Sequence, residues 1–303
     1  MTRSEPPALT DDVPGLPGRP PTMHKGQAGR VAIIAGSRGM SGAAVLSALG
    51  ALRGGAGLVR VYCPLSIQPI VAAGEPCLMT VALPEDGEGQ AARPPTAPFD
   101  LSWANVVAIG PGLGQRGRVA DVVAEVLTGF TGPVVVDADG LNTVAPRGSA
   151  AWSTRAGRAT VITPHPGEMA RLRAGFGLPA TPGDDDETRL RIAHEFATQT
   201  GVTVVLKGHR TVVCGRDQAY VNTTGNAGMA TGGMGDVLTG LIAALLAQGL
   251  SAFDAARLGV YAHGLAADQC AREIGAVGFL ARDVAEAIPR ALQEASRPRI
   301  GFR

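Results

Sequence analysis

Short β-branched runs recur along this chain, each stopping at a turn rich in glycine, proline or charge and leading into residues at helical spacing. That recurrence constrains the fold more than any other feature. Arg30-Val-Ala-Ile-Ile-Ala35 ends in Gly36-Ser-Arg-Gly-Met-Ser-Gly42, and Ala43, Leu46, Leu49 and Leu52 follow at helical spacing. Gly57 to Cys63 is the next strand, which makes a β–loop–α–β unit and so implies parallel strands with a right-handed crossover. Asn105 to Ile109, ending in Gly110-Pro-Gly-Leu-Gly114, repeats the pattern. So do Pro133 to Asp137, ending in Asp137-Ala-Asp-Gly-Leu-Asn142, and Ala159 to Thr163, ending in Pro164-His-Pro-Gly-Glu168. Val202 to Leu206 then leads into Lys207-Gly-His-Arg-Thr211, and Cys214-Gly-Arg-Asp217 reads as a hairpin turn. The fold class is α/β: a central, mostly parallel sheet flanked by helices on both faces. Ligands of such sheets bind beyond the C-terminal strand ends, where all these turns lie.

Residues 1–22, with Pro6, Pro7, Pro14, Pro17, Pro20 and Pro21, read as a disordered or loosely attached arm, and 23–303 as one domain. The stretch Pro84 to Pro98 reads as a long surface loop within it. A net charge of +1 gives no electrostatic reason to expect nucleic acid or an anionic membrane as partner. Cys63, Cys77, Cys214 and Cys270 form no C-x-x-C pair, and the five histidines lack zinc-ligand spacing, so no metal site is expected from side chains alone. The first residues have no apolar core region of the signal-peptide kind, and no apolar run is long enough to span a bilayer. A cytoplasmic location follows as the expectation.

The chemistry concentrates at Asn222-Thr-Thr-Gly-Asn-Ala-Gly-Met-Ala-Thr-Gly-Gly-Met-Gly-Asp236, which runs into the apolar Val237 to Leu246. A glycine loop feeding a buried helix leaves backbone N–H groups unpaired and converging, which makes an anion site suited to phosphate. Asp236 sits at the junction, either as a helix cap or as a base beside the phosphate. With an ordinary carboxylate pKa of about 3.9 it is expected to be ionised at neutral pH. No G-x-x-x-x-G-K-[ST] occurs, and neither glycine turn gives a clean dinucleotide fingerprint. Asp184 to Glu187 reads as a solvated helix-capping loop. Asp137, Asp139, His165 and Lys207 are placed at strand ends and stand as site candidates.

Taken together these residues resemble the NAD(P)H-hydrate dehydratases, a branch of the ribokinase-like superfamily. Asn226-Ala-Gly-Met-Ala-Thr-Gly-Gly-Met-Gly-Asp-Val-Leu-Thr-Gly240, Thr163-Pro-His-Pro-Gly-Glu168, Val136 to Asp139, Ile109 to Gly114, His24-Lys25-Gly26, Ala35-Gly-Ser37 and Ser41-Gly-Ala-Ala44 carry the likeness over about residues 23–295. The resemblance implies nucleotide-dependent dehydration of the S epimer of NADH or NADPH hydrate, with ADP or ATP as co-substrate and Mg²⁺ bridging nucleotide oxygens. It implies Asp236 as the base, and Gly232, Gly233, Met234 and Gly235 as the anion hole. Ala43, Gly112, His165 and Asp236 would contact the hydrate, and Lys207, Gly208, His209, Arg210, Thr211 and Gly235 the nucleotide. It also implies a homo-oligomer, often a tetramer, and a separate epimerase, because the proline-rich arm is too short to hold one. Met234 and His209-Arg210 depart from the usual pattern. The alternatives are a ribokinase-like small-molecule kinase of the hydroxymethylpyrimidine or thiazole type, or a non-catalytic nucleotide-binding protein.

Overall fold

The elements alternate as the pattern requires. In the computed structural model, which describes residues 6–92, 100–179 and 185–297, the order begins with β1 (Ala8–Leu9), β2 (Arg30–Ile34), α1 (Ser41–Arg53), β3 (Leu58–Pro64), α2 (Gln68–Gly74) and β4 (Met79–Leu83). It continues with β5 (Val106–Ile109), α3 (Val119–Gly129), β6 (Val134–Val136), α4 (Ala138–Val144), α5 (Ala150–Ser153), β7 (Thr160–Ile162) and α6 (Pro166–Gly175). Then come α7 (Asp186–Thr200), β8 (Thr203–Leu206), β9 (Val212–Cys214), β10 (Gln218–Val221), α8 (Met234–Ala247), α9 (Ala252–Glu273) and α10 (Ala281–Ala295).

All ten strands join one sheet in the order β1-β10-β9-β8-β7-β6-β5-β2-β3-β4. Every pairing is parallel except those of β9, which runs antiparallel to both β8 and β10 because the hairpin after Lys207 reverses it. Alternate strand residues face opposite sides. Val31, Ile33, Val106, Ala108, Val135 and Val161 pack against α1, α8, α9 and α10. Ala32, Ile34, Val107, Ile109, Val134 and Ile162 pack against α3 to α7. Strand order reverses between β2 and β5, so the crevice beyond their C-terminal ends is the topological switch point.

Three features differ from the sequence reading. Helix α2 and edge strand β4 follow β3 where no element was expected. Within the stretch read as an arm, Ala8–Leu9 extends the sheet beside β10, Arg257 pairs with Asp12 at 3.0 Å, and Arg19 reaches Gly55 and Gln248. Helix α8 begins at Met234 rather than at Asp236. Most of the second half of the expected 84–98 loop lies outside the described residues.

Helices α1 and α8 meet backbone to backbone. A Cβ on Gly240 would lie 1.8 Å from the carbonyl oxygen of Ser47, and one on Gly50 would lie 2.2 Å from that of Val237. Only glycine permits this approach, and the approach fixes where the first turn of α8 sits. Gly240→Ala is therefore expected to destabilise by about 3 kcal/mol or more, at or above the upper end for overpacked cores. Urea unfolding checks it, and a midpoint equal to that of the unsubstituted chain would refute the close-packing account.

Candidate active site

The strand-end turns converge as the fold dictates. Gly36, after β2, donates its N–H to Pro111 O at 2.8 Å, and the Ser37 hydroxyl donates to Gly112 O at 2.8 Å, so the two glycine turns are tied across the switch point. Gly112 lies against α1: a Cβ there would be 2.9 Å from that of Ala43. Two of the residues expected to meet the hydrate are thus neighbours. Asp139 secures the same wall, its carboxylate accepting from Gly114 N at 2.9 Å and from the Gln115 amide at 2.8 Å. It lies in the first turn of α4, and those two bonds hold a turn of the neighbouring loop.

Asp137 has a different occupation. It is buried, and it occupies the N-cap position of α4 without capping it. Its Oδ1 accepts from Lys207 Nζ at 2.7 Å and its Oδ2 from the Thr239 hydroxyl at 2.7 Å. Lys207 leaves β8 with its backbone N–H on Pro164 O at 2.8 Å, and its Nζ stands 3.9 Å from Glu168 Oε2. Burial alone would lower the lysine pKa, but the charges of Asp137, Glu168 and Asp236 outweigh it and raise the value, so the amine stays protonated. Glu168 is itself pushed up by burial, against the pull of Lys207.

His165 caps α6. Its Nδ1 accepts from Gly167 N at 3.0 Å, its Nε2 is 3.2 Å from Glu168 Oε1, and its own N–H donates to Glu168 Oε2 at 2.8 Å. Both ring nitrogens are engaged within its own turn, while the side chain is half exposed. What it can offer a ligand is the exposed ring.

Asp236 does not cap α8. Gly233 holds the N-cap position with φ 90°, and the aspartate follows in the first turn, half-buried. Burial first, and then the charge of Asp137, push its pKa up to about 7, with Lys207 opposing and Asp139 adding. The expectation of an ordinary, fully ionised carboxylate is corrected accordingly: the residue is poised near neutrality, because it is buried and because the network that holds Lys207 also places two other carboxylates near it. Of the expected anion hole, Gly232 is exposed, Gly233 and Gly235 are half-buried, and Met234 is buried in the core. The methionine side chain therefore helps to seat the helix, beyond the backbone role expected of it.

Beside this cluster opens a cavity of about 430 Å³. All five residues from Lys207 to Thr211 line it, with Met234 and Gly235 on the helix side and Asn226, Met229 and His263 closing it. The residues expected to hold a nucleotide are thus brought together in one cavity, while Ala43 and Gly112 stand at the switch point. Buried His263 is pushed down to about 4 and is neutral. Asp268, on α9, accepts from Gly225 N at 2.9 Å and from the Asn226 amide at 2.9 Å, anchoring the start of the glycine loop. Thr239, Asp268 and His263 were not anticipated. Each lies inside a helical stretch with no local motif, and only the packing of α8 and α9 brings them to the site.

A profile of the NAD(P)H-hydrate dehydratase family matches residues 31–290. The bifunctional NAD(P)H-hydrate repair enzyme of Moorella thermoacetica is 43% identical over 281 residues, 92% of this chain and 52% of that protein, so the chain spans about half the length of that relative. The ADP-dependent (S)-NAD(P)H-hydrate dehydratase of Neisseria meningitidis is 39% identical over 268 residues, 87% of this chain and 85% of that protein. Among solved structures, the ADP/ATP-dependent NAD(P)H-hydrate dehydratase from Bacillus subtilis, co-crystallised with ATP/Mg²⁺, superposes with a TM-score of 0.76 at 31% identity, covering 94% of this chain and all of that one. A ribokinase from Thermotoga maritima, at 15% identity and a TM-score of 0.57, shares the fold. The fold is ribokinase-like, and the chain belongs to the NAD(P)H-hydrate dehydratase family.

Proposed function

We propose that this chain converts the S epimer of NADH or NADPH hydrate back to the reduced coenzyme, consuming an adenine nucleotide, most simply ADP. The observation that carries the reading is the position of Asp236. It stands within electrostatic reach of Lys207, Asp137 and Asp139, next in the chain to Gly235, which lines the same cavity as Lys207–Thr211, in a chain of this family.

Hydroxide leaves poorly, so the alcohol is first phosphorylated. Asp236 accepts the proton of the C6 hydroxyl as that oxygen attacks the terminal phosphorus of the nucleotide, and the shortened nucleotide leaves with the electron pair of the broken P–O bond. The N–H groups of Gly232 to Gly235 and the Lys207 ammonium face the charge on the transferring group. The ring-nitrogen lone pair then expels phosphate from C6, and loss of a C5 proton forms the C5–C6 double bond. Ala43, Gly112 and the exposed ring of His165 shape the hydrate side, and Lys207 to Thr211 with Gly235 hold the nucleotide.

Among the described residues no group of three or more His, Cys, Asp or Glu could hold a metal ion, and Asp137 is already engaged by Lys207 and Thr239. The donor set fits Mg²⁺ that would be carried chiefly by nucleotide phosphates, since this ion keeps several waters and commonly binds through substrate phosphates. It would neutralise phosphate charge there. A homotetramer, a cytoplasmic location and an epimerase supplying the S epimer belong to the same reading and rest on resemblance. No helix among the described residues is long and apolar enough to cross a membrane.

A small-molecule kinase of the same superfamily would use the same loop and stop at a phosphorylated product. Its solved relatives match less well: a hydroxyethylthiazole kinase from Pyrococcus horikoshii reaches a TM-score of 0.56 at 14% identity. Incubation with acid-generated NADH hydrate, Mg²⁺ and either ADP or ATP is expected to restore the absorbance of reduced coenzyme. Recovery with neither nucleotide would sink the proposal, and a stable phosphorylated product would favour the kinase. Asp236→Asn is expected to lower turnover by roughly 10²–10⁴-fold with nucleotide binding kept. The same variant is expected to melt higher than the unsubstituted chain at pH 8. A carboxyl whose folded pKa lies above its unfolded one stabilises fully only below the unfolded value, and that stability is lost as pH rises through about 7. The advantage of the variant should therefore vanish toward pH 4, which melting curves across that range would check.

A base must be ionised to act, so kcat/KM should rise with pH through about 7. Lys207 lowers the Asp236 pKa, and Lys207→Met should move the rising limb of its residual activity to higher pH. An unmoved limb would separate Asp236 from that titration.

A further inference from the structure

The loop that lines the nucleotide cavity is gripped from behind by one buried cation. Arg189, on α7, is 3% exposed. Its guanidinium donates to the carbonyl of Leu206 at 3.0 Å, to that of Arg210 at 3.3 Å, and to that of His209. The Thr211 hydroxyl donates to Gly208 O at 3.0 Å, and Asn222 N donates to Thr211 O at 2.9 Å. Every carbonyl from Gly208 to Thr211 is thereby committed to a protein donor. What this backbone can still turn toward a ligand is its N–H edge, the arrangement that suits an anion. The loop has been cut to fit the guanidinium: a Cβ on Gly208, where φ is +148°, would stand 2.7 Å from Arg189 Nη2. Near the start of α7, Asp186 pairs with Arg210 Nε at 2.6 Å, a second attachment of the same helix to the same loop. Arg189 is absent from the lining of the cavity itself.

We infer that Arg189 is a positioning residue for nucleotide binding: by drawing the carbonyls of Leu206, His209 and Arg210 onto one fork, it presents the N–H edge of the Gly208–Thr211 loop to the anionic part of the nucleotide. The inference rests on the nucleotide-dependent reading above. A planar fork with several fixed donors is what reaching separate carbonyls requires, and a lysine ammonium at the same charge would not reproduce it.

Arg189→Lys keeps the charge and loses the fork, and Arg189→Gln loses both. Calorimetric titration of each with ADP, without hydrate, is expected to give binding about ten-fold weaker or more, the scale of a lost charge-assisted hydrogen bond. The KM for hydrate, and kcat at saturating ADP, should stay within about two-fold, since neither reports on the nucleotide loop once it is filled. Unchanged ADP affinity in both variants would overturn the inference, as would a fall in kcat with ADP affinity intact. An unsubstituted chain that binds neither ADP nor ATP would remove the nucleotide reading itself, a separate outcome. Should neither variant fold, hydrogen exchange on the unsubstituted chain decides. Amides 208–211 should gain protection when ADP is added, and no gain there would refute their role as donors.

Discussion

The ion pair between Lys207 and Asp137 is the interaction on which the arrangement of the site depends. Asp137 leaves β6, Lys207 leaves β8, and Thr239 reaches the same carboxylate from α8. Three elements of different sequence origin thus meet at one buried group. Removing any one partner would leave a charge or a lone pair without its counterpart in a place where water cannot substitute, which is why such pairs are costly to break. The contact also sets distances. Gly235, at the start of α8, stands so close that a Cβ there would lie 3.3 Å from Lys207 Nζ. Because α8 is pressed onto α1 through Gly240 and Gly50, the helix cannot drift away from the lysine to relieve the crowding.

That crowding gives Asp236 its character. The N-terminus of a helix favours a negative charge, and the ammonium of Lys207 favours it further. Burial and the neighbouring carboxylates outweigh both. A helix cap would need none of this, and the cap position has gone to a glycine that has no side chain to offer. The protein therefore keeps, at the first turn of its most apolar helix, a carboxyl whose ionisation is unfavourable for folding at neutral pH. Local conflict of this kind, in a chain otherwise consistent from pattern to packing, is expected where chemistry is done.

Much of this was legible in the sequence because it depends on local pattern. Strand-end turns announce themselves by composition, and a parallel sheet places them all at one end, so Gly112, Asp137, His165, Lys207 and Asp236 could be grouped before any coordinates. What was not legible depends on tertiary register. Thr239 and Asp268 are ordinary helical residues until α8 and α9 are packed, and Arg189 reads as one surface arginine among several in a charged helix. The shift of Asp236 escaped because it comes first from burial and then from Asp137 and Asp139, roughly 100 positions away in sequence, whose distance no spacing rule supplies. The placement of both His165 ring nitrogens within its own turn, Nδ1 on Gly167 N and Nε2 near Glu168 Oε1, likewise needs the fold of that turn. The edge strand Ala8–Leu9 was missed because proline content argues against helices and central strands but not against an extended strand at a sheet edge.

The division of the crevice bears on what separates a dehydratase from a kinase on the same fold. Phosphorylation is common to both, and under the proposed reading the glycine loop, Lys207 and Asp236 would serve it in either case. Elimination asks little more of the protein, because the ring nitrogen of the hydrate supplies the electron pair that expels phosphate. The residues that distinguish the two outcomes therefore belong on the hydrate side, where the substrate must be held with C6 toward the nucleotide and water kept from it. Under the proposed reading that side would be built from Ala43, Gly112 and the Thr163–Glu168 turn. His165 Nδ1 accepts from Gly167 N and its Nε2 lies 3.2 Å from Glu168 Oε1, so the proposed wall would be shaped largely by packing there. A pocket that selects by shape suits a substrate carrying its own driving force, since the chain has only to admit it in one orientation and let the chemistry of the ring proceed.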